Sequence, residues 1–279
     1  TARDTIQQLF EKQQELINNS QDATNEEKNN ALIRLQNKME QLLNNINNAT
    51  TNAQVEQVQT SGQTMIPAIL PKIVVKEEAR NQITQVVDQQ NERINNTADT
   101  TIDEQDTAKQ EVNNLANIAN NDINKLKKND QVEETKNQAI EKIKNVLPSI
   151  KAKPNARVSL NQTAENKLRE LSQTSDATTE EINIAKALVE KLLNEALNQI
   201  NQDRTTNQVN ETEIQGIQAI NNIQVSPTKK LDARTAINSA EENRANVFNS
   251  NNEATLEEKD EAIQQLKTIL QNALQALQS

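Results

Sequence analysis

The amino-acid sequence repeats with a period of 77 residues, and this period constrains the fold more than any other feature. The dipeptide Ala-Arg recurs at that step, at Ala2, Ala79, Ala156 and Ala233. The dipeptide Gln-Val keeps the same step, at Gln54, Gln131 and Gln208. Self-similarity at such a period is typical of repeat proteins, in which each period forms one structural unit. We predict three complete repeats, residues 1–76, 77–153 and 154–230, followed by a partial repeat, residues 231–279.

A signal for the start of a helix marks the same point in every repeat. It is a Thr followed three residues later by a Glu. In such a capping box the hydroxyl accepts a hydrogen bond from the third helical amide, and the carboxylate accepts one from the cap amide. The four pairs are Thr24 and Glu27, Thr101 and Glu104, Thr178 and Glu181, and Thr255 and Glu258. We predict that these eight residues are structural helix caps.

Apolar residues after each capping box recur at helical spacing. In repeat one they advance by four, four, three and four residues, through Ala31, Leu35, Met39, Leu42 and Ile46. This stripe predicts an amphipathic central helix of roughly 24 residues. A stripe that includes Ile6 and Ile17 predicts a first helix of about 17 residues, and one that includes Val55 and Ile66 predicts a third. The fold class is therefore all-α, with one three-helix bundle in each repeat.

The third helix carries a small residue at one register position in each complete repeat: Gly62, Ala139 and Gly216. A small side chain at a fixed position predicts a close crossing of two helices. A ligand contact by exposed backbone is the less favoured alternative.

Prolines separate one repeat from the next, at Pro67, Pro71, Pro148, Pro154 and Pro227. Proline inside a helix removes a hydrogen bond and costs about 3 kcal/mol, so a third helix should not continue into the next first helix. We predict short connectors between bundles in an elongated rod. The segment 72–76 should be extended, with Ile73 and Val75 against the neighbouring bundle. The same prolines disfavour a phase in which a third helix packs with the two helices that follow it.

An arginine recurs in the first turn of each first helix: Arg3, Arg80, Arg157 and Arg234. A cation there lies at the unfavourable end of the helix dipole. Its recurrence predicts a pairing with a carboxylate across the connector, and an acidic binding partner is the alternative.

The amino-acid composition argues against a catalytic or metal-binding site. The chain has no His, Cys, Trp or Tyr, so the usual metal ligands, imidazole bases and thiolate nucleophiles are absent. Pairs of acidic residues such as Glu26 and Glu27 fall at helix N-termini, which favour negative charge. We predict no catalytic residue, no cofactor, no metal and no enzymatic activity.

Charge and hydropathy limit the partners. A net charge of −10 opposes binding to nucleic acid and to anionic lipid. No apolar run approaches the ~20 residues that span a bilayer, so we predict no membrane insertion. We expect any export or anchoring signal to lie outside this sequence.

Several motifs resemble a known family across the whole chain. The segments ATNEEK (23–28), INNA (46–49) and ATLEEK (254–259), with the Ala-Arg and Gln-Val markers, are similar to the tandem helical repeats of unknown function in staphylococcal cell-wall-anchored surface proteins of the SasC, FmtB and Ebh type. Repeats two and three depart from the pattern at TTIDEQ (100–105) and at Ile182, where the family has Lys, as diverged copies do.

The resemblance implies an extracellular location on the cell wall of a Gram-positive bacterium and a part in adhesion, intercellular aggregation, biofilm formation and virulence. It supplies no ligand-binding residues. Two functions follow as hypotheses. In the first, the repeats are a monomeric stalk that projects a distal binding domain. In the second, the repeats themselves bind host extracellular matrix such as fibronectin, or like repeats on other cells, weakly and many times over.

Overall fold

The computed structural model describes residues 1–278, and these form eleven α-helices and no β-strand. The all-α prediction is confirmed. Repeat one contains α1 (Ala2–Asn18), α2 (Asn25–Asn48) and α3 (Asn52–Met65); repeat two contains α4 (Val75–Asn95), α5 (Ile102–Lys125) and α6 (Asn129–Lys144). Repeat three contains α7 (Ala152–Ser172), α8 (Thr179–Gln202) and α9 (Thr206–Asn221); the partial repeat contains α10 (Lys229–Asn249) and α11 (Leu256–Ala276).

Each complete repeat has its own hydrophobic core, built from the predicted stripes of its three helices. The core of repeat one contains Ile6, Ile17, Ala31, Leu35, Leu42 and Ile66. The core of repeat two includes Ile83, Ile94, Val112, Ile123, Val132 and Ile143. The core of repeat three includes Leu160, Leu171, Val189, Ile200, Val209 and Ile220. The prediction of tandem three-helix bundles is confirmed.

The central helices have the predicted length. The helices α2, α5 and α8 each contain 24 residues. In the repeats that follow repeat one, the first helix is longer than the predicted 17 residues. The helix α1 contains 17 residues, whereas α4, α7 and α10 each contain 21. The additional turn lies at the N-terminus, since α4 begins at Val75, four residues before Ala79.

The connectors break the helices as the prolines predict, and their first residues pack against the core of the preceding repeat. The apolar stripe of the third helix continues past the end of the helix. In repeat two, α6 ends at Lys144, and Val146 beyond it is only 7% exposed. Ile69 and Ile223, at the same register, also contact the cores of their repeats.

Parts of the connector prediction were wrong. Residues 72–76 do not form one extended segment, because Val75 and Lys76 are already the first residues of α4. Val75 packs against the core of repeat two, as expected, but Ile73 is 39% exposed. Pro154 lies in the first turn of α7 and not in the connector. Proline is tolerated there because first-turn amides have no partner within the helix.

The chain forms two compact units. One contains Thr1–Ala98 and Glu104–Ser149, and the other contains Asp99–Asp103 with the residues from Ile150 onward. Repeat one and most of repeat two therefore share the first unit, and the short segment Asp99–Asp103, which includes the first two residues of α5, belongs with repeat three. In the second unit, α10 and α11 pack on each other but contain no buried residue.

Candidate functional site at the repeat junctions

A cluster of hydrogen-bonded polar groups lies at the start of the central helix. In repeat one it consists of Asp22, Asn25, Glu26 and Glu27, which we call the junction surface, together with the equivalent positions in later repeats. Thr24, the N-cap of α2, completes a capping box with Glu27. Both residues are buried, which is unusual for polar groups of this kind.

Glu27 caps two helices at once. Its Oε2 accepts a hydrogen bond from the Thr24 amide at 2.8 Å, which completes the capping box of α2. Its Oε1 accepts from the amides of Val74 and Val75 at 2.8 and 3.0 Å. These amides belong to the N-cap and first residue of α4, which packs in repeat two although it begins just before the predicted boundary at residue 77. The Val74 side chain supplies no cap hydrogen bond of its own. The carboxylate therefore supplies an acceptor for the first amides of α4, which its own N-cap side chain does not provide.

The two preceding residues bind a different part of repeat two. The Asn25 amide donates to the Lys127 carbonyl at 2.7 Å, and the Glu26 carboxylate accepts from the Asn129 amide at 3.3 Å. Asn129 is the first residue of α6, whose N-cap Lys128 makes no side-chain cap. Three consecutive residues of repeat one thus contact the start of α4, the start of α6 and the loop before α6.

The recurring arginines pair with an aspartate one repeat earlier. Asp22 lies 3.8 Å from Arg80. At the equivalent positions Arg157 binds Asp99 with Nη–Oδ distances of 2.8 and 2.7 Å, and Arg234 binds Asp176 at 2.5 Å. The predicted pairing with a carboxylate is therefore present for these three arginines. Arg3 instead donates to the side-chain oxygen of Asn47.

The second compact unit contains the same contacts shifted by whole periods. Glu181 Oε1 accepts from the amides of Thr228 and Lys229 at 2.9 and 3.0 Å. The Ile102 amide donates to the Arg204 carbonyl at 2.8 Å, and Asp103 accepts from the Thr206 amide at 2.7 Å. Because these contacts recur at the same register, the junction is a regular feature of the repeat and not a chance contact.

The electrostatics follow from these hydrogen bonds. Amide donors from Thr178, Lys229 and Thr228 lower the pKa of Glu181 from 4.5 to about 2. For Glu27, desolvation raises the pKa, but donation from the Val75, Val74 and Thr24 amides outweighs it, and the net shift is downward. The hydrogen bonds from Arg157 lower the pKa of Asp99. These hydrogen bonds thus favour the charged form of Glu27, Asp99 and Glu181.

A lysine braces the opposite end of the central helix. Lys76 is fully buried, and its Nζ donates to the Asn124 carbonyl at 3.0 Å, in the last turn of α5. Lys153 donates to the Asn201 carbonyl at 3.1 Å in the same way. A cation that binds the last carbonyls of a helix satisfies them and complements the dipole.

The remaining predicted site residues are the other helix caps and the small residues of the third helices. Capping boxes are present at Thr178 and Thr255, with Glu181 and Glu258. Thr101 directly precedes α5, and Glu104 lies in its first turn. A Cβ on Gly62 would lie 3.2 Å from Ile6 and 3.4 Å from Leu42, and one on Gly216 would lie 2.7 Å from Leu160. Ala139 is buried in the core of repeat two.

Sequence reasoning did not identify Asp22 or its equivalents, and it placed Glu26 at a helix N-terminus without predicting its contact with the next repeat. A signal was present: Asp22, Asp99 and Asp176 stand 77 residues apart, like the arginines. It also did not identify the caps of the third helices. Thr51 with Gln54, and Thr205 with Gln208, are capping boxes in which Gln replaces Glu.

Residues 1–278 contain no cluster of acidic side chains arranged to hold a metal ion. In that same stretch no helix is both long and apolar enough to cross a bilayer. The surface groups that do converge are those that join one repeat to the next. Fold and site together define a tandem array of helical repeats with specific contacts between neighbours.

Comparison with known proteins assigns the chain to a family. The family described as Domain of Unknown Function (DUF1542) matches four consecutive stretches, residues 1–74, 75–151, 152–228 and 229–279. The chain belongs to this family, which confirms the resemblance to staphylococcal surface-protein repeats. Each match after the first begins at the first residue of α4, α7 or α10.

Curated relatives come from Staphylococcus aureus. The chain is 26% identical over 242 residues to "Extracellular matrix-binding protein ebh" of strain MW2, which covers 85% of this chain and 2% of that protein. It is 25% identical over 263 residues to "Extracellular matrix-binding protein EbhA" of strain Mu3, which covers 94% of this chain and 4% of that protein. The chain thus spans a small fraction of the relatives it matches. No solved structure matches it significantly.

Proposed function

We propose that this chain is a non-enzymatic spacer within a bacterial cell-surface adhesin, where it holds a distal binding domain away from the cell wall. The observation that carries the proposal is the junction surface, which recurs at the 77-residue period and joins each repeat to the next through backbone amides. Repeats that bind their neighbours and carry no reactive cluster suit a structural role.

The proposal includes several finer points. The chain acts extracellularly, as a monomer, and supports cell adhesion, intercellular aggregation and biofilm formation through the domain it projects. Its working units are the repeats 1–76, 77–153 and 154–230 with the partial repeat 231–279. The names of the relatives support an extracellular setting for proteins of this type.

Small-angle X-ray scattering of the whole chain tests the spacer role. A compact protein of 279 residues has a radius of gyration of roughly 19 Å. With ~36 Å for each 24-residue central helix, repeats arranged in line give roughly twice that radius. A value near the compact one contradicts the spacer role. A second measurement at tenfold higher concentration separates an extended monomer from an oligomer.

A second function is favoured by the names of the relatives, both of which are called extracellular matrix-binding proteins. In this alternative the repeats bind matrix proteins such as fibronectin, and many weak contacts add up to firm attachment. The absence of Trp and Tyr weakens it, because these residues supply many interface hot spots. Surface plasmon resonance of the whole chain over immobilised fibronectin, with an albumin surface as control, decides between them. Saturable binding to fibronectin alone supports the second function.

A further inference from the structure

We propose that the junction surface is a docking surface for the repeat that follows, and that this docking couples the folding of repeats one and two. The partner is another repeat of the same type, recognised through two helix N-termini, one loop carbonyl and one arginine. The inference goes beyond the spacer role and does not depend on it, because it concerns how neighbouring repeats stabilise each other.

The first step is that repeat two depends on repeat one. The first turn of α4 has no cap of its own, and its Val74 and Val75 amides donate to Glu27. The α6 helix also lacks a cap of its own, since Lys128 makes no side-chain cap hydrogen bond. Its Asn129 amide donates to Glu26 instead. Helix starts without an acceptor for their first amides are less stable. Unfolding of repeat one removes both acceptors.

The second step is that repeat one also depends on repeat two. The Asn25 amide is the first in α2 and has no acceptor within that helix, and it donates to the Lys127 carbonyl. Glu27 is buried in the junction, and its charge is compensated by the α4 amides. When repeat two unfolds, the head of α2 loses both contacts. The dependence is therefore mutual, as thermodynamic coupling requires.

The third step is that docking needs little of the following repeat. In the second unit, α10 contains no buried residue, yet the amides of Thr228 and Lys229 bind Glu181 in the same geometry as at Glu27. Arg234 binds Asp176 as well. The first turn of the first helix and its arginine thus suffice for this part of the contact. These elements define the chemistry that the docking surface recognises.

Native-state hydrogen exchange of the whole chain, read by mass spectrometry, tests the coupling. Ile83 is fully buried in repeat two, so Ile83→Ala destabilises that bundle. If the repeats are coupled, Ile83→Ala also raises exchange of the α2 amides in repeat one, by about tenfold or more. In a chain that also carries Glu27→Ala, Ile83→Ala adds less further exchange in α2 than it does in the chain with Glu27, since only the Asn25 and Glu26 contacts remain.

A matched control is Thr24→Ala. Thr24 and Glu27 form the same capping box, but of the two only Glu27 accepts hydrogen bonds from the start of α4 through its side chain. Thr24→Ala should therefore leave the first turn of α4 protected, whereas Glu27→Ala exposes it. The coupling is overturned if Ile83→Ala leaves α2 exchange unchanged, or if Glu27→Ala leaves the α4 amides as protected as in the unmodified chain.

Glu181→Ala provides an independent variant if Glu27→Ala prevents repeat one from folding. It should raise exchange of the first-turn amides of α10, which donate to Glu181, and leave those of α11 unchanged. Equal exchange in the first turn of α10 with and without this substitution contradicts the docking role. Neither result depends on the shape of the array, so the spacer role can fail while docking stands.

Discussion

Arg157 and Asp99 form a bidentate ion pair, with Nη1 to Oδ2 at 2.8 Å and Nη2 to Oδ1 at 2.7 Å. Asp99 adopts a left-handed backbone conformation with φ of 64°, which aspartate tolerates better than most residues. Asp176 has the same φ and binds Arg234. In repeats two and three, the turn before the central helix thus places a carboxylate next to the arginine of the following first helix.

This geometry predicts the effect of removing the pair. Arg157→Ala should lower the free energy of unfolding by about 1 kcal/mol, a modest value because the Arg157 and Asp99 side chains are 27% and 48% exposed. Urea unfolding followed by circular dichroism measures it. Arg169→Ala, an exposed change on the same helix, is the control. A loss no greater than that of the control contradicts a stabilising pair.

The two glycines predict different outcomes for the same substitution. Glycine to alanine in a helix gains roughly 1 kcal/mol of helix propensity. At Gly216 the new Cβ would lie 2.7 Å from Leu160 and 3.0 Å from Ala196, so overpacking of about 1–3 kcal/mol exceeds that gain. At Gly62 the nearest contact is 3.2 Å, and Gly62→Ala should be nearly neutral.

Thermal unfolding of the two alanine variants checks this contrast. Gly62→Leu is the third variant, and it should destabilise repeat one by about 1–3 kcal/mol because leucine fills the space of Ile6 and Leu42. A melting curve unchanged by Gly62→Leu contradicts close helix packing at that position. A stabilising Gly216→Ala contradicts the predicted overpacking against Leu160.

Acid should weaken the junction at Glu181. Its pKa falls from 4.5 to about 2 on folding, so its contribution to stability is complete above pH 4.5 and is lost as the pH falls towards 2. Glu181→Gln removes this contribution. The difference in unfolding free energy between the two chains should be largest above pH 4.5 and should vanish near pH 2. Glu190→Gln, an exposed change on the same helix, should show no such trend.

Lys76 predicts a difference between loss of a hydrogen bond and loss of packing. Lys76→Met keeps the buried stem but leaves the Asn124 carbonyl without its partner, and should cost about 1 kcal/mol. Lys76→Ala also leaves a cavity and should cost more, in the range of about 2–4 kcal/mol. Chemical denaturation measures both. Equal losses for the two variants would mean that packing of the stem contributes nothing.

The fold was largely predictable because its signals are local and repeated. The capping box at Thr24 and Glu27 located the start of α2, and the stripe through Leu35 and Leu42 identified the face that forms the core. Both depend on residues within one helix. Periodicity of 77 residues then carried each prediction to the other repeats.

The junction was only partly predictable because its partners lie 47 to 103 residues apart. The arginine pairing was expected from the helix dipole, but its aspartate was not identified. The second role of Glu27 gave no distinct signal, since a capping box uses one carboxylate oxygen and the contact to Val74 uses the other. Most of the remaining contacts are made by backbone amides. Because nearly every residue has one, these contacts leave no signal in the sequence.

The placement of these contacts has a genetic consequence. Each period carries both a junction surface, such as Asp22 to Glu27, and the groups that bind the preceding one, such as Val75 and Arg80. Duplication or deletion of 77 codons therefore joins one complete surface to one complete partner, wherever in the period the breakpoints fall. Recombination between tandem copies can lengthen or shorten such an array without requiring any new interface to evolve.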